Sequence, residues 1–561
     1  MSFEKVPRDA ATRVIIVGAG IGGISTAIAL RRQLKHDNFT IYELGNEVGG
    51  TWRANTYPGC ASDVHTHWYS LSTDLNPNWP QSHVFQPDLK QYWQDLAHKY
   101  RLYDHIVFNS KVVSAEWVPK TQVYRVEVES VDGKRLVEYG RILVAGTGIL
   151  NTPNYPTELS GVKKFKGDWF HSANWNHSVD LRSKRVAVIG NGCSAAQFLP
   201  IIAEEPTTQI VQFWRTPMWF LPKWRDTYSP LMQWVFTNIP LTLRWYRNFL
   251  MFRQEMLYMT VIRGGPNTWL RNRFMKGLTK YLKENAPEKY HDVLTPNYPF
   301  GCKRLILDTG YYESLHRPNV ELNNDGIVEV NETGILTKKG ETIPLDVIIL
   351  GTGFLANDLP FHVRGSDGRS VHEYYKQQGG PTAYYGTMTP GFPNFFILSG
   401  PNTATGHGSV IFTEEVQINY MIKVIKPILS DLATAFEPTD AASDSYNAWV
   451  QSKLGKSVWN ACTSWYRAEE GKGKITGIFP GTFVKFWWTL REPVWGDFKV
   501  SDGTRWKRRR AIGKVVKTVL GAGALGAGVY AIRNPEVVDH ILGNLSKQAS
   551  QLLSQVSSYV H

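Results

Sequence analysis

The stretch RVIIVGAGIGGISTAIALRRQL, residues 13–34, decides the fold. Residues 13–17 are an apolar, mostly β-branched run that reads as a short buried strand. A glycine-rich turn follows, Gly18 to Gly23, and then a helical pattern. TIYEL, residues 40–44, reads as the next strand, which completes a β-α-β unit. Each glycine has its own duty. Gly18 allows the tight turn, Gly20 lets a pyrophosphate approach the backbone, and Gly23 lets helix and strand pack closely. The first N–H groups of the helix then face the phosphates. Glu43 ends the second strand, where an acid accepts hydrogen bonds from a ribose 2′-hydroxyl.

The pattern occurs a second time. RVAVI, residues 185–189, precedes Gly190-Asn191-Gly192-Cys193-Ser194-Ala195, an alanine-rich helix and the strand IVQFW. Gly190, Gly192 and Ser194 take the phosphate-facing places. Arg215, followed by Thr216, stands where the first unit has its acid. A carboxylate would repel a 2′-phosphate, whereas a guanidinium binds it as a fork. The first site therefore expects a dinucleotide with a free ribose and the second expects NADP over NAD. A solvated strand-end arginine is the competing reading of Arg215. Two nucleotide sites on one chain imply electron transfer between cofactors, with NADPH as hydride donor and FAD as acceptor.

The rest of the 561-residue chain is too long for one core, so about two to four domains are expected. Hydrophobic residues make up 42% and charged residues 20%, which excludes a mainly disordered chain. Residues 217–299 are rich in Trp, Tyr, Phe, Arg and Leu and read as a helical insertion without strand alternation. With Trp214, Trp219, Trp224 and Trp234 around them, they suggest a large apolar pocket or lid. DVIILGTGF, 346–354, is another buried strand with a glycine turn, and FPNFFILSGPNTATGHGS, 392–409, reads as strand, loop and helix start. Cys60, Cys193, Cys302 and Cys462 show no metal-ligand or C-x-x-C spacing. The first three read as small packing residues, and so few cysteines suit a reducing compartment. No metal is expected. The opening residues carry no apolar signal-peptide core.

Between the two glycine turns lies FKGDWFHSANW, Phe165 to Trp175, which has the form F-x-G-x-x-x-H-x-x-x-W on Phe165, Gly167, His171 and Trp175. It resembles the fingerprint of the Baeyer–Villiger monooxygenases, which use NADPH and FAD to insert oxygen beside a ketone. The related flavin-containing N- and S-monooxygenases usually end the motif in Tyr or Phe, so Trp175 favours the first family. Asn176 departs from that family's usual Pro or Asp. GGTWRANTYPGCASD, which carries Thr51, Trp52 and Asp63, resembles its flavin-side loop. PFGCKRLILDTGYY resembles the segment with its active-site arginine, here Arg304, and SGPNTATGHGS resembles the late flavin contact, here Asn402.

The resemblance covers residues 13–490 or so. It implies an α/β fold of two dinucleotide-binding (Rossmann-like) domains with a helical insertion and a helical C-terminal tail. The division expected is 1–155 and 351–504 for FAD, 156–216 and 300–350 for NADPH, 217–299 for the insertion and 505–561 for the tail. The implied reaction forms a flavin 4a-peroxide that inserts one oxygen atom from molecular oxygen next to the carbonyl of a bulky apolar ketone. Arg304 would be the permanent cation that stabilises charge on oxygen, with Asp63 modulating its field. Lys303 would join Arg215 and Thr216 on the 2′-phosphate. If 303 and 304 lie on a strand, they point to opposite faces, one to each cofactor. His171 and Trp175 would couple cofactor binding to domain geometry, and a packing histidine is the plainer alternative for His171. The alternative activity is N-, S- or C-oxygenation by the same cofactors. A disulfide reductase would need a nearby cysteine pair, and a nucleotide- and membrane-binding module would leave Arg304 and Asp63 without a purpose.

The net charge of +13 is largely a tail property. Residues 505–561 hold nine Lys/Arg against Glu536 and Asp539, so nucleic acid is not expected as a partner of the main body. The uncharged stretch 518–532 falls short of the ~20 residues of a comfortable span. Residues 535–559 place Val538, Ile541, Leu545, Ala549, Leu552 and Val556 at helical spacing. Two readings fit: a cytoplasmic enzyme attached to a membrane surface by this tail, or a tail packed on its own enzyme or a second subunit.

Overall fold

Val14–Val17 is four β-branched residues in a row, all buried, the signature of a strand covered on both faces. In the computed structural model, which describes residues 6–222, 225–356, 358–536 and 546–548, it is the central strand of a five-stranded parallel sheet. The order is Phe395–Ile397, Ile142–Ala145, Val14–Val17, Phe39–Tyr42, Ile106–Val107. Helix α1, Ile21–Ala29, leaves the end of the central strand.

A second five-stranded parallel sheet repeats the plan around Arg185–Ile189, in the order Val320–Asn323, Gln209–Phe213, Arg185–Ile189, Val347–Leu350, Asp168–His171. Helix α2, Cys193–Ile202, starts at its glycine turn. In both sheets the turn follows the central strand, the switch point where open parallel sheets bind ligands. The fold is thus α/β with two Rossmann-like units. An antiparallel meander, Ser110–Val118, Val123–Ser130 and Arg135–Gly140, packs on the first sheet through Tyr124, Val126 and Val128.

The FKGDWFHSANW stretch builds the edge of the second sheet. Phe165 lies in that sheet's core. A Cβ on Gly167 would stand 2.3 Å from the Asp346 carbonyl oxygen, so only glycine fits. His171 ends the edge strand, and its Nδ1 accepts from the Ala173 N–H at 3.0 Å, which caps the following turn. Trp175 then packs edge-on to Phe170 and against Phe198 of α2, at 5.1 and 5.2 Å.

The insertion holds helices α3 (Pro230–Asn238), α4 (Thr242–Leu257) and α5 (Trp269–Asn285). Ser229 caps α3 ahead of Pro230, a residue pair suited to a helix start. One expectation fails here: the insertion is not free of strand. Phe220–Leu221 pairs in parallel with Ile306–Leu307 and ties its two ends together. Its tryptophans do not line one pocket either. Trp214 and Trp219 are buried, Trp234 is exposed, and Trp224 is outside the described residues. Trp219 is held by its Nε1–H to the Tyr298 carbonyl, so it is part of the packing.

Helix α6, Val410–Leu429, follows the late glycine loop and packs on α1, and α7 is Phe483–Leu490. Residues 430–434 and 501–561 form a separate compact unit. Its helix α8, Thr504–Arg533, carries the basic run and the uncharged stretch in one element, and Arg505 pairs with Asp431 at 3.3 Å. The amphipathic pattern over 535–559 lies outside the described residues apart from 535–536 and 546–548. No helix among the described residues is long and apolar enough to cross a membrane.

Candidate active site

The first glycine turn is built for close approach. Gly18 has φ +98°, and a Cβ there would stand 2.8 Å from the Gly146 carbonyl oxygen. A Cβ on Gly23 would collide with the Gly18 carbonyl at 1.9 Å, so helix and turn are in direct backbone contact. Gly20 faces Gly50, whose backbone would be 3.3 Å from a Cβ on Gly20. Two glycines thus flank the start of α1. Glu43 is buried, and its carboxylate accepts from Ala19 N–H at 2.7 Å and Gly45 N–H at 2.8 Å. Thr51 opens a short helical turn, and Trp52 is buried edge-on to Tyr69.

The second turn is more open. Gly190 has φ +114° and approaches the Gly351 carbonyl, whereas a Cβ on Gly192 would meet nothing within 4 Å. Ser194 is in the first turn of α2, and Ala195 is buried under it. Asn191 donates from Nδ2 to the Thr216 carbonyl at 2.9 Å, which ties this turn to the Arg215–Thr216 loop. Arg215 is 85% exposed and reaches Glu158 at only 3.4 Å. Lys303 lies near it. Burial holds its ammonium below the ordinary value, and the Arg215 charge adds to the effect. Two cations facing one another beside an open glycine turn are an arrangement that an anion would relieve.

Lys303 and Arg304 are not on a strand: Gly301, at φ +87°, turns the chain, and the strand begins at Ile306. The two side chains nevertheless part. Lys303 goes toward Arg215 and the Tyr298 ring, and Arg304 goes to Asp63. Arg304 donates from Nε at 2.9 Å and Nη2 at 2.6 Å to Asp63 Oδ2, and from Nη1 to the Gly406 carbonyl at 3.4 Å. Burial opposes the charge on Arg304, but the Asp63 carboxylate outweighs it and holds the guanidinium above its ordinary value. A void with room for about one water, lined by Ser62, Asp63, Gln197, Ile306 and Thr309, separates Asp63 from Cys193 at the start of α2.

His171 is 1% exposed, and burial lowers its pKa to about 4. It is therefore neutral near pH 7. Asn402 is buried in the late loop. Its Nδ2 donates to the Ile475 and Ile478 carbonyls at 3.0 and 2.9 Å, so both amide hydrogens are engaged in shaping the loop.

The cysteine reading needs correction. Cys302 and Cys462 form a disulfide across 160 residues. It anchors the residue next to Lys303 to the segment that holds Tyr466, and removes the support that the cysteine count lent to a reducing compartment. Cys60 and Cys193 are free, with thiols pushed up to about 12 by burial.

Two further features had no local sequence signal. His407, one residue past Gly406, stacks on Tyr258 at 4.4 Å and lies 3.6 Å from Glu255, so the end of α4 closes over the Arg304 neighbourhood. His65, His67 and His83 cluster with Tyr228 and Tyr246 where the Asp63 loop meets the insertion. For His407 the only sequence hint is its place in the glycine-rich GHGS.

Comparison with known proteins agrees with this geometry. A model of the family described as FMO-like, flavin-binding monooxygenase-like, matches residues 11–434. The chain is 35% identical over 547 residues to the FAD-binding monooxygenase ktnD of Aspergillus niger, covering 92% of this chain and 88% of that one. It is 36% identical over 500 residues to a Baeyer–Villiger monooxygenase of Pseudomonas aeruginosa, covering 88% and 92%. A steroid monooxygenase bound to NADP superposes with a TM-score of 0.74 at 25% identity, over 88% of this chain and 99% of that one. The complex of OTEMO with FAD and NADP gives a TM-score of 0.78 at 24% identity over 89% and 100%, a likeness of fold.

Proposed function

The chain belongs to the flavin-binding monooxygenase-like family, and on that premise we propose that it performs a Baeyer–Villiger oxidation. A ketone, molecular oxygen, NADPH and a proton would give an ester or lactone, water and NADP. The observation that carries the reading is Arg304, held by two hydrogen bonds to Asp63.

The residues fit both cofactors. Gly20 and Gly50 pack backbone to backbone beside the start of α1, so neither carries a side chain to keep a pyrophosphate from its N–H groups, and Glu43 and the Thr51–Trp52 turn lie alongside, which suits FAD. The open turn at Gly192 with Ser194, and the cations Arg215 and Lys303 near Thr216, suit NADPH. Bound FAD would supply the two-electron chemistry that accepts hydride and activates oxygen.

The protein's own part is electrostatic. Arg304 cannot readily lose its proton, so it offers fixed positive charge where negative charge develops on oxygen. Asp63 orients the guanidinium and tempers its field. Neutral His171 holds the exit of the edge strand and so the position of Trp175. It takes no part in proton transfer. Asn402 shapes the late loop. The aromatic insertion supports a bulky apolar ketone, and the basic start of α8 supports a cytoplasmic enzyme whose tail meets a membrane surface. We assign 1–155 and 351–504 to FAD, and 156–216 and 300–350 to NADPH.

The test is to incubate the FAD-loaded enzyme with NADPH, oxygen and a panel of bulky ketones, amines and sulfides, and to determine product structures. Esters or lactones support the proposal. N-oxides or sulfoxides alone would replace it with heteroatom oxygenation.

A further inference from the structure

Helix α4 is apolar on the face where an amphipathic helix should be polar. Its inner side is anchored: Leu243 and Leu250 are buried, and Arg247 lies over the Trp68 ring at 4.7 Å and pairs with Glu415. On the outer side Leu241, Trp245, Phe249, Phe252, Met256 and Met259 recur every three or four residues, and all are exposed. Trp245 is 72% exposed and Phe252 is 57% exposed, so this is no rim of the core. Such spacing forms one continuous stripe along the helix. Helix α7 adds to it. Val484 N–H bonds Glu255 Oε1 of α4 at 3.1 Å, and Val484, Trp487 and Trp488 face solvent. An exposed apolar surface of this extent marks an interaction site.

The charges select the occupant. From Ser229 to Asn272 the only acid is Glu255, which is buried against His407, while Arg244, Arg253 and Arg263 are exposed. Arg244 stands one residue before Trp245 and Arg253 one after Phe252, so they flank the stripe on opposite sides. Helix α7 carries Lys485 and no acid. An isologous contact with a second copy would set these cations against their own equivalents. Tryptophan and phenylalanine between arginines suit the interface of an anionic bilayer, where rings enter the acyl boundary and guanidinium groups meet phosphates.

We propose that the outer faces of α4 and α7 dock on an anionic lipid surface, independently of the basic tail. Through Glu255 and Tyr258, the same helix reaches His407 beside the carbonyl that Arg304 contacts. Docking would therefore set the wall of the reaction centre against the phase in which an apolar substrate collects.

The test is co-sedimentation of the FAD-loaded full-length enzyme with vesicles of equal parts phosphatidylcholine and phosphatidylserine. Three full-length variants are compared: W245S/F249S/F252S on the stripe, R244E/R263E on its flanks, and K507A/R508A/R509A/R510A on the tail. Each is first checked for unchanged bound-flavin absorbance and melting. The parent should sediment, and the stripe variant should lose roughly tenfold or more in apparent affinity. The flank variant should weaken on these vesicles, and the tail variant should keep most of the binding. If the stripe variant does not fold, the flank variant decides. A parent that stays in the supernatant, or stripe and flank variants that bind like the parent, overturns the proposal. So does a dimer that the stripe substitutions dissociate without any vesicle binding, since that assigns the face to a second copy.

Discussion

Arg304 directs two of its hydrogen bonds, from Nε at 2.9 Å and Nη2 at 2.6 Å, to a single oxygen of Asp63. The pair is a fixed dipole with its positive end held by a carboxylate that it does not leave. In the proposed reaction this pair would act where charge appears during the oxygenation step and would have no duty in hydride transfer. Arg304→Ala should therefore lower product formation roughly a hundredfold or more, while NADPH still bleaches the flavin at a similar rate. Stopped-flow absorbance and product analysis separate the two. Equal loss of both half-reactions would contradict the role assigned to Arg304.

Arg215 and Lys303 make a second prediction. Their charges face one another, and burial already works against Lys303. A 2′-phosphate removes the repulsion, whereas the free ribose of NADH does not. Arg215→Ala should raise KM for NADPH roughly tenfold or more and leave KM for NADH nearly unchanged. Lys303→Ala should do the same more weakly. Steady-state kinetics with both coenzymes checks this, and a parallel rise for NADH would argue against a phosphate clamp.

The parts that sequence made legible are those fixed by local backbone demands. Gly18, Gly23 and Gly190 stand where a Cβ would strike a carbonyl oxygen, so their spacing had to show in the chain itself. Asp63 and Arg304 were legible only through the loops around them, since 241 residues separate the two. What stayed hidden depends on distant packing. The partner of Cys302 is 160 residues away. Lys303 and Arg304 look like strand residues, yet the turn at Gly301 delays the strand to Ile306. Trp234 reads as pocket wall in sequence, yet it is exposed, because hydrophobicity does not say which side of a helix is covered.

The Cys302–Cys462 disulfide closes a long loop and fixes the residue that precedes the cation pair. In the chain-entropy description, such a closure contributes about 5 kcal/mol at most. Cys462→Ser should lower the melting temperature and also raise KM for NADPH, because Lys303 loses its anchored neighbour. Thiol titration of the denatured, unreduced protein should find only Cys60 and Cys193. Four reactive thiols without reductant would dismiss the pairing.

The histidine cluster predicts an acid-labile enzyme. Burial lowers the pKa of His65 to about 2, with the charges near His83 and His67 adding to it, and lowers that of His67 to about 3, against an ordinary 6.5. The folded protein keeps these rings neutral, whereas the unfolded chain protonates them below its own pKa. Stability from this source is thus fully present above pH 6.5. It is lost as pH falls toward the folded values, by up to about 1.4 kcal/mol per pH unit for each ring. His67 packs on Tyr228 and Phe236 at 4.9 and 5.1 Å and its Nε2 has no hydrogen-bond partner, so Phe can take its place. His67→Phe should flatten the fall in melting temperature between pH 6.5 and about 3, the window bounded by the ordinary and lowered values of this histidine. It should change little above pH 7. Differential scanning calorimetry across that range measures the slope directly. An unchanged slope would place the acid sensitivity elsewhere, in paired carboxylates such as Asp346, whose pKa the Arg185 guanidinium lowers.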